Sequence, residues 1–347
     1  MKTEAFGTTS KGVKATLYTL ENSNHTVVKV TDFGATLVSI LFADKNQKQR
    51  DMILGYDDVK GYEEHTTFFG AAVGRNGNRI KDGKFSINGK EYQLEQNENE
   101  NNLHSGSNGF HNRLWEVKDS GDNFIVFHHF SPESEQGFPG DMDITIKYTL
   151  DDDDTLHLEY NAKADKDTVM NFTNHTYYNL GGHDSGVIYD QKLQLMSDIY
   201  NPVIDSKSIP TGENASVIGT PMDFTKAKPI GQDIEADFEQ LKFTKGFDHN
   251  YVLCEKPGTM RTMAVATCEE SGIGMEASTD CVAVQFYAGN FIGEQTGKDG
   301  VKYGDRHGFC LESQYCPNAV NDEHFVSPVV PANTEYHSET KYHFYHI

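Results

Sequence analysis

The sequence predicts an all-β chain, a large antiparallel β-sandwich with few short helices, and three observations carry that expectation. Segments rich in β-branched and aromatic residues, many alternating between apolar and polar side chains, recur along the 347 residues. Helix signals are few and short, and strands do not alternate with long helices as a parallel sheet requires. No repeat, low-complexity stretch or Pro/Ser-rich linker divides the chain, so residues 1–347 read as one domain. All-β domains can reach this length.

In chain order, residues 25–33 (His-Thr-Val-Val-Lys-Val-Thr-Asp-Phe) and 35–42 (Ala-Thr-Leu-Val-Ser-Ile-Leu-Phe) have strand composition. Residues 84–87 and 90–94 flank Asn88-Gly89, the dipeptide of a type I′ hairpin turn. Residues 143–150 and 155–160 alternate cleanly, and the acidic stretch Asp151 to Asp154 between them lacks the Asp/Asn/Gly spacing of a calcium loop. It reads as a solvated hairpin tip. The best helical segment is 234–241, two turns long.

Composition narrows the function. The 30 Lys and Arg against 52 Asp and Glu give a net charge of −22, which repels nucleic acid and anionic lipid. With 21 Phe and 17 Tyr the chain can fill a sizeable core. Five cysteines are odd in number and form no C-x-x-C pair, against both a disulfide framework and a zinc site. The N-terminal residues carry no apolar signal core and no run approaches membrane-spanning length. Asn174-His175-Thr176 is formally a glycosylation sequon, but sugar there would cover a histidine segment of functional character. A cytoplasmic protein is expected.

Two segments stand out chemically. Asn171-Phe-Thr-Asn-His175-Thr-Tyr-Tyr-Asn179 packs amides, hydroxyls and an imidazole where a core strand would carry apolar residues, a density that burial tolerates only with partners. Phe309-Cys-Leu-Glu312-Ser-Gln-Tyr-Cys-Pro317 sets one carboxylate into an apolar run. A histidine and a glutamate of this kind suit general acid–base chemistry on a hydroxylated substrate. Gly246-Phe-Asp248-His-Asn-Tyr-Val-Leu253 could be only a turn entering a strand, although a carboxylate can accept two hydroxyl protons at once. Gly74-Arg75-Asn-Gly-Asn78-Arg79-Ile80 could cradle phosphate, but lacks a Walker lysine and a following helix. Asn102-Leu-His104-Ser-Gly106 and Val284-Gln285-Phe286-Tyr-Ala-Gly-Asn290 complete six motifs.

Taken together, and occurring in the family's order from about residue 70 to residue 321, the six resemble the signature stretches of the aldose 1-epimerases, the galactose mutarotases, with Tyr178 where the family commonly has Phe and Ser105 where it commonly has Gly. The resemblance implies the mutarotase-like supersandwich fold. It also implies interconversion of the α and β anomers of free aldohexoses, galactose and glucose among them, by ring opening and reclosure without metal or cofactor. It makes His175 the acid at the ring oxygen and Glu312 the base at the C1 hydroxyl. Arg75, His104, Asp248 and Gln285 are then expected on the other hydroxyls, with Tyr178 or Phe286 against the sugar face. The residues alone do not choose between His175 and His104 as the acid. Unperturbed pKa values of roughly 6.5 and 4.3 for histidine and glutamate suit the pair near neutrality. Three rivals are a hexose-6-phosphate 1-epimerase of the same fold, a glycoside hydrolase using Glu312 and Asp248, and a non-catalytic sugar-binding module. The oligomeric expectation is a monomer or homodimer.

Overall fold

The computed structural model describes residues 1–347, and three antiparallel sheets dominate it. The first runs in chain order through Lys2–Thr8, Lys14–Glu21, Val27–Thr31, Thr36–Ala43 and Gln49–Asp51. The second has nine strands. Glu116–Ser120, Phe124–Ser131, Met142–Leu150 and Thr155–Ala164 form one half as a meander. Ile273–Thr279, Arg261–Cys268, Lys192–Leu195 and Lys228–Pro229 form the other. The long C-terminal strand Glu335–His346 joins them, pairing with 155–164 on one side and 273–279 on the other.

The third sheet orders Ala215–Ser216, Ile199–Asn201, Asp248–Val252, Ala283–Tyr287 and Cys310–Gln314. One continuous apolar cluster takes Leu20 and Val28 from the first sheet, Ile144 and Ile146 from the second, and Val284 and Leu311 from the third. Each such side chain contributes roughly 1.5–3 kcal/mol on leaving water. Alternation generates this core: in Met142–Leu150 every second residue is buried while Asp143 faces solvent. Two buried tyrosines then tie the large sheet to the loops above it. Tyr148 donates to the carbonyl of Ala35 at 2.7 Å and Tyr160 to that of Thr173 at 2.8 Å, two residues before His175.

The expected strands fall at Val27–Thr31, Thr36–Ala43, Met142–Leu150 and Thr155–Ala164, and the 84–93 hairpin turns on Asn88 and Gly89, both at positive φ. Two readings need correction. The helix is Glu239–Thr244 and not 234–241, because Phe238 is extended and Ile234 is fixed separately in the core. Lys245 in the left-handed region ends it, with the Gly246 amide donating to the Leu241 carbonyl. A second short helix, Val59–Glu64, starts from the Asp58 side chain and was not legible in the pattern. The acidic tip is not simply solvated. Asp154 accepts from the side chains of Asn22, Asn24 and Thr26, and Asp152 from Ser23, so the tip clamps the first sheet against the second.

Candidate active site

Three adjacent strands of the third sheet supply one wall. In register, Asn250 faces Gln285 and Gln285 faces Glu312, while Asp248 faces Tyr287 and Tyr287 faces Cys310. Because side chains alternate, Asp248, Gln285, Tyr287, Cys310 and Glu312 all share one face. The other face carries Phe286, which packs on Phe224 and Phe247 at 5.3 and 5.4 Å between ring centroids.

The opposite wall comes from backbone segments that cross the sheet's end. His175 follows the short strand Thr173–Asn174, and its own amide donates to the Ala71 carbonyl while its carbonyl accepts from Gly70. Gly70 sits at φ +63, and a Cβ there would lie 1.8 Å from the Leu37 carbonyl oxygen, so the chain can pass beside His175 only as glycine. Phe68, Asn78, His104 and Ser105 also take positive φ. That concentration of strained backbone is held by reciprocal hydrogen bonds: the His104 amide donates to the Asn78 carbonyl, and the Asn78 amide to His104 Nδ1, both at 3.1 Å. The Ser105 hydroxyl is bound by the backbone of Asn76.

These walls enclose a cavity of about 300 Å³, bordered by His104, His175, Asp248, Glu312, Arg79 and Tyr177, with Phe68, Tyr287 and Phe291 supplying further aromatic surface. At its floor His175 Nε2 stands 3.7 Å from Glu312 Oε1, and both side chains are almost wholly buried. Burial pushes the His175 pKa down to about 4 and raises that of Glu312 well above the ordinary carboxylate range, with Asp248 adding to the rise. Glu312 Oε2 and Gln285 Oε1 are buried acceptors with no donor. Gln285 donates to Asp248 Oδ1 at 2.6 Å, and burial raises the Asp248 pKa against the pull of Arg79 and Gln285.

His104, His175 and Glu312 bring one ligand atom each within 4.8 Å of one another, the spacing of a metal triad. The tautomer argues otherwise. His104 Nδ1 accepts from the Asn78 amide, so in the neutral ring Nε2 carries the proton and has no lone pair for a metal. Burial, with His175 and Arg79 adding, pushes the His104 pKa well down and keeps the ring neutral. It is a hydrogen-bond donor to the cavity.

The structure therefore brings together His175, Glu312, His104, Asp248 and, behind Asp248, Gln285, but not the other three expected residues. Arg75 is buried at 1% exposure and turned away, its guanidinium donating to Ser131 Oγ and the carbonyls of Ser131, Pro132 and Pro139. Arg79, four residues on, borders the cavity instead. Tyr178 packs on Tyr342 at 5.2 Å and Phe309 at 6.1 Å beneath the sheet, while Tyr177 takes the cavity side. Phe286 lies in the core, and Tyr287 replaces it. Both aromatic corrections are slips of one position, which in an extended chain moves a side chain to the other face. Parity with His175 and Gln285 is the signal that finds Tyr177 and Tyr287. No such signal marks Asn78 or Phe68.

The two arginines should separate cleanly. Arg75→Met should cost roughly 3 kcal/mol of stability by leaving buried carbonyls without donors, while kcat/KM of the folded protein stays near that of the parent. Arg79→Met should instead lower kcat/KM on the order of 10²-fold. Chemical denaturation and anomer-exchange kinetics on both variants check this.

The family described as Aldose 1-epimerase matches residues 16–343. A galactose mutarotase of Bos taurus is 38% identical over 320 residues, covering 91% of this chain and 90% of the relative. An aldose 1-epimerase of Escherichia coli K12 is 35% identical over 330 residues, 94% of each. Among solved structures, an aldose epimerase homologue from C. elegans superposes with a TM-score of 0.85 at 30% identity, covering 95% of this chain and 99% of its own. A galactose 1-epimerase from Lactobacillus acidophilus gives 0.84 at 28% identity, covering 99% of each.

Proposed function

The chain belongs to the aldose 1-epimerase family, and from that membership we propose that it interconverts the α and β anomers of free aldohexoses, galactose and glucose first, with His175 as acid and Glu312 as base. The observation that carries the assignment is the facing of His175 Nε2 and Glu312 Oε1 across 3.7 Å at the floor of a polar cavity.

Burial favours a neutral imidazole beside a neutral carboxylic acid, one acidic proton held by the pair. That proton count is the one the reaction needs. Imidazolium with carboxylate is the tautomer of the same pair, and a C1 hydroxyl donating to Glu312, with Arg79 nearby, draws the pair toward it. His175 then gives its Nε2 proton to the ring oxygen as the C1–O5 bond breaks, and Glu312 takes the C1 hydroxyl proton as the C1 carbonyl forms. Rotation about C1–C2 presents the other face, and reclosure reverses both transfers. His104 Nε2–H, Arg79, Asn78, Asp248 and the unpaired Gln285 Oε1 are the groups for the remaining hydroxyls. Tyr177, Tyr287 and Phe291 offer ring faces to the apolar side of the sugar.

The paired carboxyl groups leave the hydrolase reading without a role for His175, and Arg79, the cation bordering the cavity, is engaged by carboxylates, which disfavours a phosphorylated substrate. Every group named comes from one chain, so a monomer or a homodimer can carry the activity. All five cysteines are free thiols, four of them buried, which suits a reducing cytoplasm, and no helix is long and apolar enough to cross a membrane.

Purified protein in the presence of chelator should accelerate α-to-β exchange of galactose, and of glucose, in polarimetry or NMR. Exchange at the buffer rate for both sugars, together with cleavage of a glycoside, would replace this reading with the hydrolase. If residues 1–347 act as one domain, calorimetric unfolding should be a single transition. Two well-separated transitions would divide the chain.

A further inference from the structure

Arg79 is a cation that cannot act as a free anion receptor. Its Nε and Nη2 donate to the two carboxylate oxygens of Glu98 at 2.7 and 2.8 Å, a bidentate pair at the cavity edge. Nη1, on the remaining side, lies 4.0 Å from Asp248 Oδ2. Burial works against the guanidinium charge, and the Glu98 pair, with Asp248 and Glu312 behind it, more than offsets that and raises the Arg79 pKa. The cavity border thus carries three carboxyl groups, Glu98, Asp248 and Glu312, against this one guanidinium, and its two histidines are held neutral. Lys207 and Lys245 sit next to lining residues: Lys207 is turned onto Glu100, and Lys245 lies over the Phe291 ring, 5.5 Å from its centroid.

We propose that Glu98 is a specificity-determining residue: by occupying the Arg79 fork it excludes anionic sugars, such as uronates and sugar phosphates, and restricts the site to uncharged or cationic aldoses. This rests on the cavity being the sugar site proposed above. Without Glu98, the Arg79 fork would present two parallel N–H groups toward the cavity, the geometry that grips a carboxylate or phosphate. With Glu98, an entering anion finds the guanidinium already paired and Asp248 on its remaining side, in a space too small for screening by salt, since the Debye length at physiological ionic strength is about 8 Å. Neutral hydroxyls still find Nη1 as a donor. The pair therefore keeps the guanidinium in place for hydrogen bonding while cancelling its attraction for negative charge.

The test is a charge series of free sugars, galactosamine, galactose and galacturonate, assayed by NMR exchange at about pH 6, where the amine carries its proton. The parent protein should act well on the first two and poorly on galacturonate. Glu98→Gln should raise the ratio of kcat/KM for galacturonate over galactosamine at least tenfold, whatever happens to the rate on galactose. Glu98→Asp, which keeps the charge, should retain the parental order. A ratio unmoved by Glu98→Gln, or moved equally by Glu98→Asp, would overturn the role of Glu98 while leaving the catalytic reading intact. Exchange of none of the three sugars by the parent would remove that reading itself. A second measurement needs no variant: the methyl glycoside of galacturonate should inhibit galactose exchange far more weakly than that of galactosamine, and equal inhibition constants would overturn the proposal.

Discussion

Glu312→Gln is expected to lower kcat by roughly 10²–10⁴-fold, the usual scale for loss of a positioned general base, with little change in KM. The same substitution should make the protein more stable near neutral pH. Burial, then Asp248, raises the Glu312 pKa in the folded chain, so the folded state binds this proton more tightly than the unfolded state does. The stabilisation is complete below the unfolded carboxyl value and is lost as pH rises toward the folded one, at up to about 1.4 kcal/mol per pH unit. Glutamine keeps the neutral shape at every pH. The variant's gain over the parent should therefore vanish in acid and grow with pH, which denaturation at several pH values would show. Near-parental kcat in Glu312→Gln would return Glu312 to a structural role.

His175→Asn is expected to be comparably inactive, because the ring oxygen then leaves without a proton, and its signature is in the pH profiles. In the parent, kcat/KM should form a plateau bounded by two limbs. Below about pH 4 the imidazole is protonated beside a protonated Glu312, and no base remains. Above the raised Glu312 value the pair has lost its proton, and no acid remains. His175→Asn should lose the acid limb, and Glu312→Gln the alkaline one. The stability sign is opposite to that of a paired histidine. Burial depresses the His175 pKa from 6.5 to about 4, so the folded state is penalised as pH falls between those values. Removing the imidazole should spare the protein up to about 3 kcal/mol of acid sensitivity there. An acid limb that survives in His175→Asn would assign the proton donor elsewhere, with His104 as the nearest alternative.

The two substitutions together define how far local sequence reached. His175 and Glu312 announce themselves because polar, titratable groups interrupt segments that otherwise have the composition of buried strands. Their burial, and hence the direction of both pKa shifts, arises from packing against other segments, His175 against Gly70 and Ala71 and Glu312 against Gln285 and Asp248. Asp248 was legible as a carboxylate at a strand entry, and the structure places it one strand from Gln285 and two from Glu312.

Local pattern was also sufficient for several strands. Alternation with period two specified strands over 143–150 and 155–160, which the structure extends to Met142–Leu150 and Thr155–Ala164, and Asn88-Gly89 specified its hairpin, because these depend on neighbours in sequence. Helix 239–244 shows where local pattern stops: its limits are set by Phe238 and Lys245 backbone conformations that tertiary packing imposes.

By itself the sequence determined the all-β class and marked His175 and Glu312 as titratable groups set into strand-like segments, since each follows from composition or spacing within a segment. Only the tertiary structure decided which arginine meets the cavity, which of two adjacent aromatics faces it, and which nitrogen of His104 carries the proton. Arg75 and Arg79 lie in one motif of unvarying polarity, and nothing local distinguishes a guanidinium buried among carbonyls from one held by Glu98. Those choices belong to contacts between segments far apart in the chain, where a single step along a strand reverses the side of the sheet a residue occupies.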